Sequence, residues 1–107
     1  MIHAYTEEKD GRFSFYVSGH AGYAPYGQDV ICAGASVLTT TLAEVICQLS
    51  DYSEVAMVDE KLESGNTVLS ADVAESARER FRAATSFFSV GFSLMAEQYP
   101  KYICFTG

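Results

Sequence analysis

Positive charge is scarce in this sequence: Lys and Arg number 7 against 14 Asp and Glu, for a formal net charge of −7 and a pI near 4.6. A protein that grips a phosphate backbone carries a Lys/Arg footprint, so direct nucleic-acid binding is not expected. An acidic surface instead steers encounter with a basic partner. Long apolar runs are also missing. The longest charge-poor stretch, residues 30–43, is too short and too rich in Thr and Ser to span a bilayer. Residues 1–10 are half polar and hold no apolar segment before a cleavage site. The expectation is a cytoplasmic protein with no membrane partner. The three cysteines, Cys32, Cys47 and Cys104, have no paired spacing, which excludes a CxxC metal clip and a disulfide framework and leaves three free thiols. No linker, repeat or low-complexity segment interrupts the chain. Its 107 residues, 49% hydrophobic and 20% charged, read as a single globular domain over 1–107.

What is present is a regular alternation of hydrophobic periods. Residues 2–6 and 13–17 alternate with period two around Asp10-Gly11, a hairpin signal. From Val30 the period lengthens, and Ile31, Ala35, Leu38, Leu42, Val45 and Leu49 form one stripe of a helix reaching about Ser50. Apolar or small residues on most of its sides predict that it is covered by the sheet and by a second subunit. Residues 54–60 and 67–71 read as a second hairpin, with the turn at 62–66 and Gly65-Asn66 at its tip. Asp72 with Glu75 resembles a capping box for a second helix, striped by Ala77, Phe81, Ala84, Phe88, Phe92, Met95 and Tyr99 and stopped by Pro100. Arg78, Glu79, Arg80 and Arg82 lie off that stripe and read as a solvated face. Residues 102–105 close the chain as a strand. The ββαββαβ order predicts an α+β fold, a largely antiparallel sheet with two helices packed on it.

Residues 18–36, SGHAGYAPYGQDVICAGAS, carry the chemistry. Only a thiolate attacks a carbonyl carbon, and a free thiol stays mostly protonated unless a helix N-terminus or an imidazole stabilises the anion. Asp29 is a candidate N-cap, making Val30, Ile31 and Cys32 the first helical positions, whose unpaired N–H groups would point at the sulfur. Glycines in the intervening loop allow His20 to fold back onto Cys32. Simpler readings stand beside these. A free Cys is among the most buried residue types, and Cys47 and Cys104 read as packing. A lone His at a strand end is often structural, and His3 reads as an ordinary strand residue. Asp29 is either a cap alone or also an orienting group. Ser36 is a packing or back-bonding hydroxyl. Tyr23 and Tyr26 are candidates to line a substrate groove.

The motif Gly19-His20-Ala21-Gly22-Tyr23-Ala24, followed after a short gap by Gly27-x-Asp29-Val30-Ile31-Cys32-Ala33 and then Ser36, closely resembles the ribosomal-processing cysteine protease family Prp. Element order and length agree along the whole chain. Gly34, where that family more often has a larger residue, and Pro25 in the loop are the departures. The resemblance implies a dyad of Cys32 as nucleophile and His20 as its base, with Asp29, Ser36, Gly19 and Tyr23 in supporting or substrate-binding places and no metal or organic cofactor. It further implies a homodimer that removes the N-terminal extension of large-subunit ribosomal protein number twenty-seven, cutting after an aromatic-rich segment. Residues 23–27 are expected to order over the bound peptide. A non-catalytic ribosome-associated binding module and another thiol acyl hydrolase remain alternatives.

Overall fold

The computed structural model describes residues 1–25 and 27–107. Five strands, β1 (Ile2–Lys9), β2 (Arg12–Ser18), β3 (Val55–Glu63), β4 (Asn66–Val73) and β5 (Ile103–Thr106), form one sheet in the order β3-β4-β2-β1-β5. Helices α1 (Val30–Leu49) and α2 (Arg78–Gln98) complete the ββαββαβ order. All neighbouring strands pair antiparallel except β1 and β5, which run parallel. The sheet is therefore mixed, and the expected α+β architecture stands.

The hairpin at Asp10-Gly11 forms as its sequence indicates. Both residues have positive φ, 51° and 85°, the type I′ pattern whose twist matches that of the flanking strands. On one face of the sheet Phe13 and Phe15 meet their β4 partners Ala71 and Leu69. Against them lie the rings of α2. Phe81 sits 4.7 Å from Phe13, Phe88 sits 5.3 Å from Phe15, and the Phe88 and Phe92 rings lie tilted to each other 4.7 Å apart. Phe81, Phe88 and Phe92 are fully buried, each contributing about 2–3 kcal/mol by removal from water.

The helices meet each other at two glycines. A side chain at Gly91 would collide with Leu38, and one at Gly34 would press on Met95 at 3.1 Å. Gly34 thus lies where α1 approaches Met95 of α2.

Four local expectations are corrected. Asp72 is a residue of β4 and forms a two-pronged pair with Arg12 across the ladder, at 2.7 and 2.9 Å. It caps no helix. α2 instead begins through a 3₁₀ turn, Glu75–Ala77, without a side-chain cap. The second hairpin is longer than its apolar pattern suggests, because β3 runs to Glu63 and β4 resumes at Asn66, leaving Ser64-Gly65 as the tip. In the basic cluster Glu79, Arg80 and Arg82 are exposed as expected, and only Arg78 is half-buried. Arg82 pairs with Glu8 of β1, and Arg78 donates to the Val73 carbonyl at 3.0 Å. Finally, α1 runs past the Thr- and Ser-rich stretch to Leu49 and has a mean hydropathy of 1.8, long and apolar enough by composition alone to cross a bilayer. Its Ile31, Ala35, Leu42 and Ile46 are instead buried in the core shared with the sheet and α2.

Candidate active site

The chain leaves the sheet at Ser18 and enters α1 at Val30, and the site lies at that crossing. Gly19 makes the exit. Its φ is +87°, and any β-carbon there would strike the Met1 carbonyl, so only glycine fits between β2 and the chain start. Its N–H donates to the Gly65 carbonyl at 2.9 Å, tying the end of β2 to the tip of the β3–β4 hairpin.

Asp29 caps α1, as its position predicts, and also holds the loop. Its Oδ1 accepts from the N–H groups of Ile31 and Cys32, both at 3.0 Å, while Oδ2 accepts from Tyr23 at 2.9 Å and Ala24 at 3.3 Å. Burial works against ionisation of this carboxyl, but the N–H groups of Cys32, Tyr23, Ala24 and Ile31 together outweigh it and hold its pKa below the usual range. One side chain thus fixes both the helix start and the preceding loop.

This arrangement changes how the thiol is served. The Ile31 and Cys32 N–H groups are taken by Asp29, and that of Ala33 bonds the Asp29 carbonyl at 3.0 Å. These helix-start donors therefore do not point at the sulfur. The donor to Cys32 Sγ is the Ala21 N–H, at 3.4 Å, brought there by the loop that Asp29 tethers.

Cys32, partly buried, and His20, exposed, open into one cleft of about 690 Å³ between α1 and the β3–β4 hairpin. Ile2, Val17, Ala35 and Leu62 give it apolar lining. Ser36, one turn beyond Cys32, lines the same wall. Thr39 and Thr40 follow, their hydroxyls spent on the carbonyls of Ala35 and Ser36 at 2.6 and 2.7 Å. A more open groove of about 810 Å³ on the outer sheet face is lined by neither Cys nor His.

Among the described residues His20 makes no hydrogen bond to Cys32. Its ring lies on the hairpin tip, where a β-carbon on Gly65 would stand 2.6 Å from Nε2. Gly65 was visible in the sequence as a turn residue, but nothing there announced contact with an imidazole 45 positions away. Tyr23 departs further from expectation. Its ring packs edge-on against Tyr102 at 5.2 Å and Tyr99 at 6.4 Å and does not line the cleft; only its N–H serves the site. Tyr26 lies outside the described residues, so the expected ordering of residues 23–27 extends beyond what is described. No group of three or more His, Cys, Asp or Glu suited to a metal occurs among the described residues.

Solved structures that share this fold include the following three. The Staphylococcus aureus Prp, an essential ribosomal processing protease, with a covalently linked product peptide matches at TM-score 0.76 and 22% identity, over 99% of this chain and 98% of that one. The same protease with a substrate peptide matches at TM-score 0.70 and 19% identity, over the same shares. SMU.848 from Streptococcus mutans matches at TM-score 0.69 and 24% identity, over 99% and 92%. Curated proteins give no match. The sequence pattern of the cysteine protease Prp family covers residues 1–104. The thiol at a capped helix start, the histidine across its cleft and the matched pattern lead to one conclusion: this chain belongs to the cysteine protease Prp family.

Proposed function

We propose that the chain is a cytoplasmic endopeptidase that removes the N-terminal extension of large-subunit ribosomal protein number twenty-seven during ribosome assembly, with Cys32 as nucleophile and His20 as base. The observation that carries this reading is the opening of both side chains into one partly apolar cleft of about 690 Å³.

In this mechanism an extended peptide enters between α1 and the β3–β4 hairpin, its apolar side chains against Val17, Ala35 and Leu62. The His20 ring turns from Gly65 toward Cys32 and takes the thiol proton. The thiolate adds to the scissile carbonyl, and the Ala21 N–H, already beside the sulfur, is the donor nearest the oxyanion that forms there. His20 then protonates the leaving amine, and water attacks the acyl-enzyme with His20 again as base. Asp29 supports the reaction by tying Tyr23 and Ala24 of the loop that carries Ala21 to the helix start; it touches neither reacting atom. Every group required is a side chain or backbone amide, so neither a metal nor an organic cofactor is invoked.

A net charge of −7 favours encounter with a basic ribosomal protein over nucleic acid. The exposed Val30 and Val37 on α1 and Val90 and Leu94 on α2 support a homodimer closed over the helix layer.

Intact mass of the cognate ribosomal protein after incubation tests the proposal. Loss of a discrete N-terminal peptide is expected with the native chain and with Cys47→Ala, and no change with Cys32→Ala. An unchanged mass with an alkylatable Cys32 would turn the reading toward a binding module. Turnover of thioesters without peptide cleavage would turn it toward an acyl hydrolase.

A further inference from the structure

A second thiol and imidazole meet on the other face of the sheet. His3 and Cys104 are directly paired across the parallel β1–β5 ladder, and Cys104 Sγ lies 3.0 Å from His3 Nδ1. Ile103 is buried in the core on the helix side, so strand alternation directs Cys104 and His3 to the face without helices. His3 is exposed and Cys104 partly exposed, so a small molecule reaches both. Two hydrogen-bonded strands set the pair in place. Sequence separation of 101 residues hid it.

The three thiols differ in their surroundings. Cys32 belongs to the cleft. Cys47 is exposed on α1, but desolvation, then the carboxylates of Glu60, Glu44 and Asp51, push its thiol pKa up and disfavour the thiolate. Cys104 has an imidazole in contact with its sulfur. Accessibility alone would rank Cys47 first; the company each sulfur keeps reverses that order.

We propose that Cys104 is a second reactive thiol, with His3 as its base, and a site of modification by low-molecular-weight disulfides. His3 Nδ1 takes the thiol proton, and the Cys104 thiolate attacks one sulfur of a disulfide RS–SR. The S–S bond of the reagent breaks, Cys104–S–SR forms, and the departing thiolate leaves as RSH with the proton that His3 carried. Cys104 is oxidised by the reagent, whose released half is reduced, so no further oxidant is needed. The reaction is independent of the protease reading because it uses no residue of the cleft.

The experiment compares two single-cysteine chains, Cys32→Ala with Cys47→Ala and Cys32→Ala with Cys104→Ala, each exposed to glutathione disulfide near neutral pH and followed by intact mass. Cys104 is expected to acquire one glutathionyl group about ten-fold faster than Cys47. His3→Gln and His3→Asn in the Cys104 chain, each with its circular dichroism checked, are expected to bring that rate down toward the Cys47 value. Equal rates for the two thiols would overturn the proposal, as would a Cys104 rate unchanged in both His3 variants.

Discussion

Asp29 binds four backbone N–H groups, but its two oxygens serve different elements, and a substitution can separate them. Asn at position 29 retains a carbonyl oxygen for Ile31 and Cys32 but presents an NH₂ to the Tyr23 and Ala24 N–H groups, setting donor against donor. Asp29→Asn should therefore keep α1 and release the loop, lowering Tm by about 4–8 °C and slowing Cys32 alkylation. The pH dependence has a definite sign. A carboxyl whose folded pKa lies below its unfolded value near 3.8 contributes its full stability above that value and loses it as pH falls through the folded pKa. The Tm gap between the native chain and Asp29→Asn should thus be widest near neutral pH and shrink below about pH 4. Thermal melts across that range check it, and a gap constant with pH would remove the carboxylate from the account.

At the scale of elements, the β3–β4 hairpin is both a sheet edge and one wall of the cleft. Its tip residue Gly65 has φ +75° and leaves just enough room for the His20 ring. Asn tolerates positive φ better than most residues, so Gly65→Asn should preserve the turn while its β-carbon crowds Nε2. Expected are a fall of about ten-fold or more in kcat/KM and an altered pH profile of Cys32 alkylation, with little change in Tm. A lowered Tm with the alkylation profile intact would make Gly65 a turn residue only. The helix elements show how far periodicity carries. The α2 stripe from Ala77 through Phe81, Phe88 and Phe92 is buried as its spacing says, because the face toward the sheet must be apolar whatever the details. The capping-box spacing of Asp72 and Glu75 does not start α2, because Asp72 crosses the strand ladder to Arg12 while Glu75 enters the 3₁₀ turn.

For the molecule as a whole, one face of the sheet is covered by the two helices, whose exposed apolar residues include Val37, 64% exposed, and Leu94, 53% exposed. Under the dimer proposal, Val37→Glu buries a charge in the interface and should shift sedimentation toward the monomer while leaving the far-ultraviolet circular dichroism unchanged. An unchanged sedimentation coefficient would place the interface elsewhere or remove it.

Sequence by itself determined the features that depend on neighbours along the chain. These are the type I′ turn at Asp10-Gly11, the presence of two helices, the buried Phe81, Phe88 and Phe92 of α2, and the capped helix start that places Cys32 three residues after Asp29; on α1 the face that is buried holds Thr39, Ala43 and Ile46 where the expected stripe had Leu38, Val45 and Leu49. Local dihedral preferences and hydrophobic period are enough for each. Tertiary structure alone decided which distant groups meet: the Ala21 N–H on Cys32 Sγ, Gly65 beneath His20, Tyr23 against Tyr99 and Tyr102, and His3 beside Cys104. Strand order and loop closure set those contacts, and neither leaves a periodic trace in the residues they join.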